Sequence, residues 1–152
     1  MFNSGFYSQG RIAELMALQD IIKQGFVAFE AGPQLSYDLV VDVAGRLLRV
    51  QVKSAGKPRV RDVRPNGRDL FTNEPYLFRT KKRLGQDYTL DSFDLFALVA
   101  VDIGMVAYMT IAEGLKSSRI SVQQPQYESH ARTKKSTRMQ DLTFAKALEA
   151  LK

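Results

Sequence analysis

The sequence predicts a single mixed α/β domain, with helices near both ends and paired β segments between them. Three observations carry this expectation. Apolar residues recur at helical spacing near each terminus, and two pairs of short aliphatic runs are each divided by a glycine-containing turn. The 152 residues are enough chain for one core and too few for two.

The first helix is expected over residues 8–24, where Ile12, Leu15, Met16, Leu18, Ile21 and Ile22 are apolar. Ser8 is available as its N-cap, and Gly25 can close it in the left-handed conformation. Leu15 and Leu18 are the residues expected to seat it on a sheet. Residues 26–30 are short and β-prone, and Gly32-Pro33 punctuates them. Residues 37–43 and 46–53 then read as a hairpin across Ala44-Gly45. A second hairpin is expected where Asn66-Gly67, suited to positive φ, separates residues 60–64 from 70–72. Residues 93–101 and 105–111 flank Asp102-Ile103-Gly104 as two core strands, and 111–117 suit a short helix. The polar stretch 123–138, which contains His130, reads as an exposed connection. A last helix is expected over 139–151, with Thr137 and Gln140 spaced as a capping box. Its Leu142, Ala145, Leu148 and Leu151 lie near one face, either capping the core or meeting a second subunit. The predicted core spans about 8–122.

Composition narrows the function classes. The longest apolar run, 95–101, is far short of the roughly 20 residues a membrane span needs, so no membrane partner is expected. The first five residues lack the features of a secretory signal, which points to a cytoplasmic protein. The absence of cysteine excludes disulfides and thiolate metal sites. The net charge of +6 is concentrated in one stretch, residues 57–83. Lys57, Arg59, Arg61, Arg64, Arg68, Arg79, Lys81, Lys82 and Arg83 stand there against only Asp62, Asp69 and Glu74. A patch of that kind is the electrostatic footprint of a polyanion binder, and these nine residues are the candidate DNA contacts. Arg59 and Arg61 share one strand face, so the expected hairpin could track phosphates while some side chains reach base edges. Tyr76 and Phe78 read as packing residues, and His130 has no assignable partner.

The chemistry concentrates in the first hairpin. With Ala44-Gly45 as a two-residue loop, Val43 faces Arg46 and Asp38 lies opposite Gln51. Side chains alternate along a strand, so Gln51 and Lys53 project from one face and Asp38 joins them. Hydrolysis of a phosphodiester needs a cation to neutralise the phosphate and an oriented water. Mg²⁺ prefers oxygen ligands, and Asp38, the Gln51 carbonyl and the main-chain oxygen of Val52 are available, with Glu14 on the first helix as a further ligand. Lys53 would orient or help deprotonate the water and stabilise developing charge. Asp42, Asp91, Asp94 and Asp102 read as strand-end or surface acids, of which Asp94 could lie near the cluster.

The stretches Gly10-Arg11-Ile12-Ala13-Glu14, Tyr37-Asp38 and Gln51-Val52-Lys53-Ser54-Ala55 resemble the PD-(D/E)XK nucleases. That resemblance implies a restriction-endonuclease-like αβββαβ core, here with an added basic hairpin and a C-terminal helix. It implies Glu14, Asp38, Gln51 and Lys53 as catalytic residues. The run Asp94-Leu95-Phe96-Ala97-Leu98-Val99, followed by a glycine turn and Ala107-Tyr108, is most similar to homing endonucleases of cyanobacterial group I introns. What this implies is Mg²⁺-dependent cleavage of double-stranded DNA by a homo-oligomer, dimer or tetramer. Mn²⁺ would substitute, Ca²⁺ would bind without supporting cleavage, and no small-molecule cofactor is implied. Two positions depart from the motif: Tyr37 replaces its proline and Gln51 its acidic residue. A junction resolvase, a restriction-type nuclease and a noncatalytic nucleic-acid binder with a diluted metal site remain the alternatives.

Overall fold

The computed structural model describes residues 5–58, 74–81, 87–127 and 137–152, with side chains from residue 8 onward. Helix α1 (Gly5–Lys23) leads into strands β1 (Val27–Glu30), β2 (Leu39–Val43) and β3 (Arg46–Ala55). Strand β4 (Tyr76–Arg79) precedes β5 (Leu95–Ala100) and β6 (Met105–Thr110), and helix α2 (Ile111–Gly114), strand β7 (Arg119–Val122) and helix α3 (Phe144–Ala150) complete the order. The main sheet runs β1-β2-β3-β5-β6. Its neighbours are antiparallel except β3 and β5, which pair in parallel, Gln51 beside Phe96 and Lys53 beside Leu98. A separate antiparallel pair, β4-β7, forms the second sheet.

Two cores lie on opposite faces of the main sheet. On one, Leu39, Val41, Leu48, Val50 and Val52 pack with Ala13, Ala17 and Ile21 of α1 and with Phe144 and Ala147 of α3. On the other, Phe96, Leu98 and Ala100 pack under Tyr76 and Phe78 of β4 and Ile120 and Val122 of β7. The fold is therefore three-layered, and Gln51 and Lys53 share the face of the second core, where they stand beside Phe96 and Leu98. Burial of Tyr76 and Phe78 agrees with the packing role expected of them.

The hairpin of β2 and β3 turns on Ala44 and Gly45, both with positive φ (52° and 86°), the requirement of a type I′ turn. The Asp42 carboxylate accepts the Gly45 N–H at 2.8 Å and secures it. At the end of α1, Gly25 has φ 94°, while the N–H groups of Gly25 and Phe26 donate to the carbonyls of Ile22 and Ile21. This is the Schellman closure that the glycine permits.

Several expectations need correction. Helix α1 begins at Gly5, so Ser8 lies inside it and does not cap it. Leu15 points outward and is 47% exposed; the small Ala13 and Ala17 seat the helix because they allow its backbone close to the sheet. Tyr76–Arg79 pairs with Arg119–Val122 and so belongs to the second sheet and not to a local hairpin arm. The remainder of the expected basic hairpin, residues 59–73 and 82–83, lies outside the described residues, as does His130. Strand β7 was not foreseen. The C-terminal helix starts at Phe144, where the Thr143 hydroxyl accepts the Lys146 N–H, and is preceded by a 3₁₀ turn, Met139–Asp141. Thr137 and Gln140 do not cap it.

Candidate active site

Strand β2 stops one residue short of Asp38, and there its carboxylate takes over the role of the ladder. The Asp38 N–H donates to Val50 O (2.9 Å), as continued pairing requires, but Asp38 Oδ2 accepts the Val52 N–H at 2.8 Å and Gln51 Nε2 at 2.7 Å. Gln51 Nε2 also donates to Val52 O at 3.1 Å. The register is the one that the two-residue loop demands, with Val43 opposite Arg46 and Leu39 opposite Val50.

Burial is the largest influence on Asp38 and pushes its carboxyl up to about 6; the nearby negative charge of Glu14 acts in the same direction. The Val52 N–H and the positive charge of Lys53 oppose that rise. Asp38 is thus a half-desolvated carboxylate whose charge is only partly compensated. Glu14 reaches it electrostatically from α1 while its own Oε2 accepts from Arg11 at 3.0 Å, and Arg11 in turn holds Glu30 at 2.8 Å.

Lys53 emerges two residues beyond Gln51, and its Nζ donates to the Tyr88 hydroxyl at 2.9 Å. Beside them Arg49 is braced by Asp94, which accepts its main-chain N–H at 2.7 Å and its Nε at 3.2 Å. Asp94 therefore serves Arg49 directly, while Asp42 serves the turn and Asp102 accepts from the Tyr76 hydroxyl at 3.1 Å.

The model of the PD-(D/E)XK endonuclease family matches residues 7–142, nearly the whole chain. The chain belongs to this family. The PD-(D/E)XK nuclease is also similar to a solved structure described as that of a bacterial homing endonuclease, I-Ssp6803I, at 25% identity and a TM-score of 0.64. The likeness covers 93% of this chain and 88% of that one. No curated protein matches it. It is a DNA endonuclease on the mixed five-stranded sheet of the restriction-endonuclease-like fold. No helix among the described residues is long and apolar enough to cross a membrane.

Nucleases of this family generally use divalent metal ions, and the donor set here fits one in an unusual form. Among the described residues no group of three or more His, Cys, Asp or Glu side chains could hold a metal. Yet Asp38 Oδ2 and Val52 O both aim at the same hydrogen-bond donor, Gln51 Nε2. Two oxygen acceptors converging on one neutral hydrogen-bond donor mark a place suited to a cation. A half-turn of the Gln51 amide would bring its own oxygen into the cluster, giving three oxygen donors of the kind Mg²⁺ prefers.

Of the nuclease's candidate DNA contacts, Lys57, Arg79 and Lys81 are exposed, and Arg59, Arg61, Arg64, Arg68, Lys82 and Arg83 lie outside the described residues. Arg119, on β7, stands directly opposite Arg79 and is also exposed, so two like charges meet across the small sheet. The sequence could not flag Arg119, because its nearness to Arg79 comes from a pairing forty residues long. Tyr88 was missed for a similar reason: it is 35 residues from Lys53.

Proposed function

We propose that the protein is a site-specific homing endonuclease that hydrolyses both strands of duplex DNA with Mg²⁺ and acts as a homo-oligomer. The observation that carries this reading is the convergence of Asp38 Oδ2, the Gln51 amide and Val52 O at one point, with Lys53 next along the same strand face. Asp38, Gln51 and Val52 would hold the ion, with Glu14 supplying the further negative charge that Gln51 lacks. Mg²⁺ bound there would neutralise the scissile phosphate and make a coordinated water more acidic. The Lys53 ammonium orients the attacking water and stabilises charge developing on the phosphoryl oxygens. Water forms the new P–O bond, one ester P–O bond breaks, and the proton leaves with the departing oxygen.

The exposed Lys57, Arg79 and Lys81 support DNA phosphate contacts, and the basic sequence adds Arg59, Arg61, Arg64, Arg68, Lys82 and Arg83 to the proposed set. One small chain carries one such site, so cutting both strands calls for at least two copies. The likeness to the bacterial homing endonuclease I-Ssp6803I supports the homing role, and the group I intron setting is the one the sequence resemblance implies.

The test is cleavage of supercoiled plasmid and of mixed linear duplexes with Mg²⁺, Mn²⁺, Ca²⁺ or EDTA. Cutting is expected with Mg²⁺ or Mn²⁺ only, and loss of cutting with retained DNA binding is expected in Lys53→Ala and Asp38→Ala. Binding without cutting under every ion would defeat the reading, and cutting that survived in both variants would move the active site elsewhere. A four-way junction cut in preference to linear duplex would favour a resolvase instead.

A further inference from the structure

Lysine is a poor positioning device by itself. Its ammonium sits on four rotatable bonds, and fixing them costs about 2 kcal/mol of rotamer entropy. A catalytic group displaced by about 1 Å can lose about 100-fold in rate, so some part of the protein must hold Lys53. Tyr88 has the geometry to do so. Its hydroxyl accepts from Lys53 Nζ at 2.9 Å, and the same nitrogen lies 5.0 Å from the ring centroid. The ring is itself fixed. It meets Phe93 edge-on at 5.0 Å and 82°, and Phe96 at 6.3 Å and 77°. Phe93 and Phe96 are fully buried and pack on each other at 4.8 Å. Phe96 is moreover the β5 neighbour of Gln51. One aromatic cluster therefore sets both the strand that bears the site and the hydroxyl that meets its lysine.

Packing alone does not explain a tyrosine here, since phenylalanine would fill the same volume among these rings. The hydroxyl is the part that leaves the aromatic cluster and turns toward the charged groups. Burial, and then the charge of Asp38, push the Tyr88 phenol up to about 12, so it stays neutral and presents an oxygen lone pair to the ammonium.

We infer that Tyr88 is the positioning residue for Lys53, holding its ammonium on the site face of β3 beside Asp38; this rests on the reading of Lys53 as a participant in phosphodiester cleavage. Tyr88 touches neither DNA nor metal in this role and acts through the lysine. Its hydroxyl sets where the amine is, while the ring contributes a weaker attraction that phenylalanine would keep.

The experiment compares wild type, Tyr88→Phe and Tyr88→Leu. Supercoiled plasmid cleavage with Mg²⁺ is measured under single-turnover conditions, DNA affinity is measured with Ca²⁺, and thermal stability is followed for each. Lysine carrying ¹³C at Cε gives a Lys53 resonance assignable by its loss in Lys53→Arg. The expected result for Tyr88→Phe is a cleavage rate about 10-fold lower, DNA affinity within about twofold of wild type, near-native melting and a moved Lys53 signal. Tyr88→Leu should move that signal further, because the ring current is lost as well. Wild-type cleavage by Tyr88→Phe, or a Lys53 signal that does not move, overturns the inference while leaving the nuclease reading standing. A loss of rate matched by lost DNA affinity and lower melting makes Tyr88 a packing residue and also overturns it. Absence of cleavage by wild type under every divalent ion removes both.

Discussion

Replacing Asp38 by Asn should make the protein more stable and inactive at once. The carboxyl is raised from 3.8 to about 6, mainly by burial, so its neutral form is the one the fold prefers. A raised folded pKa contributes stability that is fully present below the unfolded value near 4 and is lost as the pH climbs through 6. Above that window the ionised carboxylate costs the folded state about 3 kcal/mol, at 1.36 kcal/mol per pH unit. Asn keeps an oxygen that can accept from the Val52 N–H and from Gln51 Nε2, and it removes the charge. The gain at pH 7.5 is therefore expected to approach that figure, or about 5–10 °C of melting temperature for a chain of this size. It should fall to about half near pH 5 and vanish below pH 4. Metal-free thermal denaturation of wild type and Asp38→Asn from pH 4 to 8 measures it. A variant no more stable than wild type at pH 7.5, or a gain that persists unchanged at pH 4, would refute the assignment of Asp38 as a desolvated carboxylate.

Three further outcomes are expected. Gln51→Glu puts a second carboxylate where Nε2 now lies 2.7 Å from Asp38, so without metal the protein should lose about 1–3 kcal/mol at neutral pH. Its Ca²⁺ affinity, read from the melting shift on titration, should rise about tenfold or more; an unaltered Ca²⁺ response would count against a cation at this point. Gly114→Ala sets a Cβ 2.4 Å from the buried Phe96 ring and should cost about 1–3 kcal/mol in urea denaturation, whereas native stability would mean that the ring has room to shift. Tyr108→Phe removes a 2.5 Å hydrogen bond to Asp20, which joins β6 to α1 and adds to the rise that burial, the larger cause, imposes on the tyrosine. Asp20 still accepts from Gln24, so the expected loss is about 1–2 kcal/mol, and a neutral result would show that this bond does not tie the helix.

What was legible in the sequence was local. Ala44-Gly45 separates two β-rich runs by two residues, and such a loop leaves one register, from which the meeting of Asp38 and Gln51 follows. Gly25 announced the end of α1 because few residues adopt its φ cheaply. Periodicity misled at Leu15, since α1 has large apolar residues on its outer side as well, and Ile12, Leu15 and Ile22 are all about half exposed. The seating residues are alanines, whose burial reflects close helix-sheet approach and leaves little hydrophobic signal. Strand β7 alternates exposed Arg119 and Ser121 with buried Ile120 and Val122, but four residues are too few for that pattern to stand out. Its partner β4, like the partnership of Lys53 with Tyr88, depends on tertiary closure that no local spacing encodes. At the C-terminus, the expected cap was Thr137, but the 3₁₀ turn at Met139–Asp141 intervenes and the helix starts at Phe144 with Thr143 as its cap.

The parallel pairing of β3 with β5 joins two hairpins, β2-β3 and β5-β6, each of which can close over a short turn. The seam itself must wait for the intervening residues 56–94 to loop back, the step with the larger closure entropy and the slower rate. Asp38 and Gln51 can meet in the first hairpin alone, but Phe93, Phe96 and Tyr88 arrive only with that closure. A chain still emerging from the ribosome, or one half unfolded, would thus carry the Asp38–Gln51 pair without an organised lysine. For a DNA endonuclease with the role proposed for Lys53, assembly order becomes a safeguard: cleavage competence comes last, with the complete fold.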